Sequence, residues 1–186
     1  MNKNKSLIHH EILNVITLIN FEISGSALPE AKKKDLLKDL RLLTIFINYE
    51  DVILDEKREL FKRQVHINEV LETIQIIHEK HMKNLHVEFN LPTGDLTAEV
   101  DHKMIQEALE QIILRLMNTT SKIDLAYNGN TLEIHYNGEN VDLEKVELME
   151  CLKDRQKFLL QLPIKLLELN GLKVRGAEGM IAIDFA

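Results

Sequence analysis

The sequence predicts an α+β protein, a helical hairpin that dimerises into a four-helix bundle and is followed by an α/β sandwich. Two observations carry this. Apolar residues recur at helical spacing as far as about Phe61, and after Arg63 period-two strands alternate with helices. The expected domains are residues 1–63, the hairpin, and residues 64–186, the sandwich.

The elements follow in order. From about Ser6 to Ser24, Ile8, Ile12, Ile16, Ile19 and Ile23 recur at helical intervals and form one apolar face. Ser24-Gly25-Ser26-Ala27-Leu28-Pro29 breaks the pattern, and Pro29-Glu30 is a first-turn signal for a second helix. There Leu36, Leu40, Leu43, Ile47 and Leu54 share a stripe that Leu37, Phe46, Val52 and Ile53 widen, so the second helix is expected to run to about Phe61. One hairpin cannot bury two such wide stripes, whereas two hairpins pairing as a four-helix bundle can, so a homodimer is expected.

Next, Gln64–Ile67 reads as a strand and Asn68 as the N-cap of a helix from Glu69 to about Asn84. Leu85–Leu91 alternates as a strand stopped by Pro92, and Asp101–Met117 is helical. Lys122–Tyr127 and Thr131–Tyr136 flank an Asn128-Gly129-Asn130 turn, a hairpin signature. Residues 142–170 read as largely helical, with Pro163 a kink or a start and Gly171 a cap. Leu172–Arg175 and Met180–Phe185 complete the set as a strand pair.

Composition excludes several functions. The 186 residues hold seven Gly, against about 7% in an average chain, and the only near pair is Gly176 and Gly179. Neither GxGxxG nor a P-loop is present. A net charge of −7, no Trp and 5% aromatics argue against a nucleic-acid partner. Cys151 stands alone, which excludes an internal disulfide and a Cys-based zinc site; on its apolar helix it reads as a buried small residue. Apolar runs are short, so no membrane span is expected, and Glu11 and Asn14 interrupt any signal peptide. The expected compartment is the cytoplasm.

The candidate chemistry lies on the first helix. His10 is about 200° from Ile12 on the helical wheel, hence on the solvent side, with Asn14 and Thr17 on the same face and Glu11 adjacent. An exposed imidazole beside a carboxylate can attack phosphorus while the carboxylate orients it and takes its proton. The plain alternative is an ordinary surface histidine. His9 is the internal rival; Glu follows His10 and not His9, which favours His10.

His10-Glu11-Ile12-Leu13-Asn14 resembles the H-box of sensor histidine kinases, and its Glu-x-x-Asn fits the pattern which that family uses in receiver dephosphorylation. Val15 stands where the family usually has Pro. Val65-His66-Ile67-Asn68-Glu69-Val70-Leu71 resembles the start of the kinase ATPase domain, and Ala98-Glu99-Val100-Asp101 the strand and Asp before its N-box helix. Leu166–Val174 resembles its last helix and strand. The resemblance spans nearly the whole chain and implies that residues 64–186 take the fold of the kinase ATPase domain.

The departures fall where ATP would bind. The two N-box Asn are Gln111 and Arg115, and the D-x-G-x-G box reads Tyr136-Asn137-Gly138-Glu139-Asn140. The later Gly-rich box is Phe158-Leu159-Leu160-Gln161-Leu162-Pro163, whose bulk prevents close backbone approach. The resemblance therefore implies a degenerate, pseudokinase-like domain and a histidine phosphotransferase of a bacterial phosphorelay. His10 would be nucleophile and leaving group, Glu11 would orient the imidazole, and Asn14 would position a water or a phosphoryl oxygen. Partners would be a second copy and response-regulator receiver domains, which supply the Mg²⁺, so the chain would need no cofactor of its own. A receiver phosphatase, a dimeric adaptor and a residual kinase stay open as alternatives.

Other residues read as structural. His78-Glu79-Lys80-His81 has i,i+3 spacing where a zinc helix needs i,i+4, so no metal site is expected there and the segment reads as a solvated face. Lys32-Lys33-Lys34 and Asp154, Arg155 and Lys157 read the same way, and the six Met read as core filling.

Overall fold

A computed structural model describes residues 3–54, 58–138, 141, 143, 148–151 and 154–185. The chain divides into two compact units, Met1–Lys57 and Arg58–Ala186. No helix among the described residues is long and apolar enough to cross a membrane.

The first unit is helical. Helix α1 (Lys3–Gly25) and helix α2 (Glu30–Asn48) pack on each other. The turn between them is closed by Ser26, whose amide and hydroxyl both donate to the Ile23 carbonyl, at 3.2 and 2.7 Å. Pro29, with φ −56°, precedes α2, and its carbonyl accepts the Lys33 amide at 3.0 Å. The pair is antiparallel, because His9 near the start of α1 reaches Glu50 just beyond the end of α2.

The second helix is shorter than its apolar spacing predicts. It ends at Asn48, Tyr49 leaves helical geometry at φ −124°, and a single turn, α3 (Glu50–Ile53), follows. Residues 58–61 lie outside any helix. Periodicity carries no information on such a break. Beyond it the Ile53 and Leu54 amides donate to the Tyr49 and Glu50 carbonyls, both at 2.9 Å, which closes a separate turn. Ile16, Leu40, Ile45, Tyr49, Val52 and Ile53 are buried.

The second unit is built on a five-stranded sheet. In chain order it comprises β1 (Lys62–His66), α4 (Ile67–Leu85), β2 (Glu88–Asn90), β3 (Thr97–Asp101), α5 (His102–Met117), β4 (Lys122–Asn128), β5 (Thr131–Tyr136), α6 (Leu148–Cys151), α7 (Arg155–Leu169), β6 (Lys173–Ala177) and β7 (Met180–Asp184). The sheet order is β2-β4-β5-β7-β6, with β2 and β4 parallel and the other pairs antiparallel. Strands β1 and β3 form a separate antiparallel pair. Alternate residues Ile123, Leu125, Leu132, Ile134, Ile181 and Ile183 are buried, as are Ile105, Leu109, Ile112, Ile113 and Leu116 of α5. The result is a mixed α+β unit with α5 packed between α4 and α7 in sequence-distant contact.

Four local expectations change. Asn68 does not cap α4: that position is His66, and Asn68 instead donates to the Gly94 carbonyl and accepts the Tyr127 hydroxyl. The 85–91 strand shrinks to Glu88–Asn90, because His86 turns left-handed (φ 55°) to end α4. The helical stretch 142–170 resolves into α6 and α7, with residues 142, 144–147, 152 and 153 outside the described ones. Pro163 does not start a helix but lies inside α7.

Candidate functional site

His10 sits on α1 with its side chain 71% exposed and Glu11, next to it, 67% exposed. Asn14, one turn on, places its amide nitrogen 3.2 Å from His10 Nδ1. Glu11 Oε1 lies 3.8 Å from the same nitrogen, beyond a hydrogen bond but within Coulombic reach. The Asn14 amide donates to a bare Nδ1; turned over, it accepts from a protonated one, and the two arrangements are isosteric. In that second arrangement the proton is on Nδ1 and the lone pair is on Nε2.

Thr17 does not join this group. Its hydroxyl donates to the Leu13 carbonyl of its own helix at 2.8 Å. The structure thus brings together His10, Glu11 and Asn14, the three residues singled out from sequence.

His9 is placed differently. Its Nε2 lies 2.9 Å from Glu50 Oε2, and its side chain is 29% exposed. Glu50 is the residue that sequence reasoning missed. It belongs to no motif, and its partner lies at the far end of the helical pair, a proximity that no local pattern encodes.

In the second unit, the positions at which the resemblance puts nucleotide contacts take part in packing. Gln111 of α5 is buried and donates to Glu107 Oε1 at 2.7 Å. Tyr136 is buried at the end of β5, its hydroxyl accepting the Val141 amide at 3.1 Å. Asn137 Oδ1 accepts the amides of Ser121 and Lys122 at 3.2 and 3.1 Å, and a Cβ on Gly138 would collide with the Thr119 carbonyl oxygen. That turn is a latch on the α5–β4 connection. Glu139 and Asn140 lie outside the described residues. Phe158–Leu162 is not a loop but a stretch of α7, with Phe158, Leu160, Gln161 and Leu162 buried. Arg115 also lies on α5, half-buried.

The remaining candidates resolve as follows. His78 is not on a solvated face: its Nε2 is 2.6 Å from Glu110 Oε1, with side chains 11% and 12% exposed, and the pair ties α4 to α5. No group of three or more metal-ligating side chains gathers among the described residues. Cys151 is buried, and that burial pushes its thiol up in pKa, away from reactivity. Lys33 pairs with Glu30 at 3.1 Å. A surface groove of about 450 Å³ is lined by residues of α4, β2 and their connection, including Gln75, Ile76, Met82 and Phe89, and by none of α5 or α7.

No model of a known protein family matches the sequence, and no curated protein matches it. Solved structures do. The Acinetobacter baumannii histidine kinase AdeS superposes with a TM-score of 0.65 at 12% identity, covering 94% of this chain and 96% of that one. The cytoplasmic segment of the histidine kinase QseC gives 0.54 at 9% identity over 87% of this chain and 97% of its own. The catalytic domain of the histidine kinase ThkA gives 0.51 at 17% identity over 69% and 95%. At these identities the likeness establishes the fold, which is related to that of histidine kinases.

Proposed function

We propose that this chain is a histidine phosphotransferase of two-component signalling, passing a phosphoryl group between response-regulator receiver domains through His10 without binding ATP. The observation that carries the reading is the state of His10: exposed, with Nδ1 next to Asn14 and Glu11. In the forward step the Nε2 lone pair attacks the phosphorus of a receiver's aspartyl phosphate, and the acyl O–P bond breaks to release the carboxylate. Nδ1 keeps its proton, and the adjacent Glu11 carboxylate stabilises the cationic ring. The reverse step delivers the group to another receiver, and the receiver supplies the Mg²⁺.

Two features support the rest of the reading. Ile12, Val15, Leu18, Ile19 and Leu43 are 39–64% exposed, an apolar surface that pairing into a four-helix bundle would cover. The nucleotide positions of the kinase fold are given over to packing by Gln111, Tyr136 and Phe158.

The test is incubation with a receiver domain labelled on its aspartate. Acid-labile, base-stable label on the wild type and on His9→Ala, and none on His10→Ala, is the expected result. Label on His10→Ala would sink the proposal. A second reading, receiver phosphatase, is favoured by the exposed Asn14 amide next to Glu11, which suits the orientation of a water; there, receiver label disappears without residing on this chain.

A further inference from the structure

The break in the second helix and the two adjacent histidines belong together. Tyr49 ends α2, and the turn that follows carries Glu50, whose Oε2 comes 2.9 Å from His9 Nε2. That oxygen is buried, and it is the atom of Glu50 that His9 Nε2 approaches. Tyr49, Val52 and Ile53, around it in sequence, are 2–6% exposed, so the turn is firmly seated. His9 is therefore held at the fixed end of the helical pair, while His10, one residue and about 100° further round α1, stands in solvent.

We infer that His9 is a positioning residue: clamped by Glu50, it sets the rotation of the first turns of α1 and so the direction in which His10 Nε2 faces. The inference deepens the phosphotransfer reading and rests on it. In-line transfer needs the lone pair aligned with the breaking O–P bond, and small misplacements of a reacting group slow such steps by large factors. A helix near its terminus frays and rotates unless side chains hold it. Asn14 and Glu11 fix the ring relative to α1, but only a contact to another element fixes α1 itself, and His9–Glu50 is one.

The experiment uses the full chain and a receiver domain phosphorylated on aspartate, in single-turnover reactions over a range of receiver concentrations. Glu50→Gln keeps the volume and removes the carboxylate charge, His9→Ala removes the imidazole, and His9→Lys puts a different donor to Glu50 in its place. The expected result is a first-order transfer rate slowed about five- to tenfold in Glu50→Gln and His9→Ala. The half-saturating receiver concentration stays the same, and His9→Lys transfers more than twice as fast as His9→Ala.

Wild-type rates in both Glu50→Gln and His9→Ala overturn the inference. So does a loss expressed only in the half-saturating concentration, which would make the pair a docking element. Far-ultraviolet circular dichroism checks helicity; should His9→Ala lose helix, the isosteric Glu50→Gln decides. Label on His10→Ala ends the phosphotransfer reading itself, whereas wild-type rates in the His9 and Glu50 variants end only the positioning role.

Discussion

Asn170 and Asp101 interlock in the second unit. The Asn170 Oδ1 accepts the Asp101 amide at 2.7 Å while its Nδ2 donates to the Leu166 carbonyl at 2.9 Å, and both residues are buried. Asp101 in turn caps α5 by accepting the amides of Lys103 and Met104 and holds the Phe61 amide at 3.1 Å. One node thus ties the end of α7, the end of β3, the start of α5 and the segment before β1. Asn170→Ala leaves a buried amide without its acceptor, which costs about 2–3 kcal/mol. The check is the urea midpoint of the second unit, expected to fall with an unchanged slope; an unfolding free energy within about 0.5 kcal/mol of wild type, the range of surface substitutions, would show that the node does not stabilise the unit.

The His66–Asp95 contact gives a pH dependence with a definite sign. Asp95 Oδ2 lies 2.8 Å from His66 Nδ1, and this bond, reinforced by the carboxylate's charge, raises the imidazole pKa above its usual value near 6.5. Folding therefore favours the protonated ring. The stabilisation is fully present below the unfolded pKa and is lost as pH rises through the higher folded one. Nuclear magnetic resonance titration of the His66 ring is expected to show a midpoint above 6.5 that drops in Asp95→Asn. An unchanged midpoint in that variant would mean that Asp95 is not the cause.

How much of this was readable follows from the kind of signal each residue carries. His10, Glu11 and Asn14 are local: one helical turn contains them, so spacing alone puts them together, as the structure does. The β4–β5 hairpin is local too, with Gly129 at φ 59° in its turn. Glu50 meeting His9 is not local, nor is His78 meeting Glu110: the i,i+3 spacing that ruled out a zinc helix left His78 to solvent, and spacing cannot see the neighbouring helix. Asn68 shows a different failure. Its type suits an N-cap, but Tyr127 and Gly94 offer its amide stronger partners once the sheet is assembled.

The exposed apolar surface of the first unit predicts its oligomeric state. Ile16 is buried at 8%, yet its stripe neighbours Ile12 and Ile19 are 41% and 39% exposed, and Leu43 on α2 is 49% exposed. Covering the exposed half of each such side chain is worth about 0.6–1.5 kcal/mol. Two substitutions remove four such contacts from a symmetric dimer, so a charge at both shifts the dimer equilibrium roughly a hundredfold. Sedimentation velocity at micromolar concentration should show a dimer for the wild type and a monomer for Ile19→Glu/Leu43→Glu. A wild type that sediments as a monomer would contradict the four-helix bundle.

Nucleotide binding is where the kinase-like fold and these residues make opposite predictions. A phosphate loop works by bare backbone amides that approach the ligand closely, which requires glycine and a segment free of its own hydrogen bonds. Phe158–Leu162 has neither property: it lies within α7, the Phe158 amide is spent on the Asp154 carbonyl at 2.9 Å, and four of its five side chains are buried. Opening it to a triphosphate would unwind that turn and expose Phe158, which alone costs about 1.5–3 kcal/mol. Titration calorimetry with a non-hydrolysable ATP analogue and Mg²⁺ is therefore expected to give no saturable heat below millimolar concentration. A micromolar affinity would show that α7 rearranges on binding, and would return the chain to the autokinase reading that Gln111, Tyr136 and Phe158 argue against.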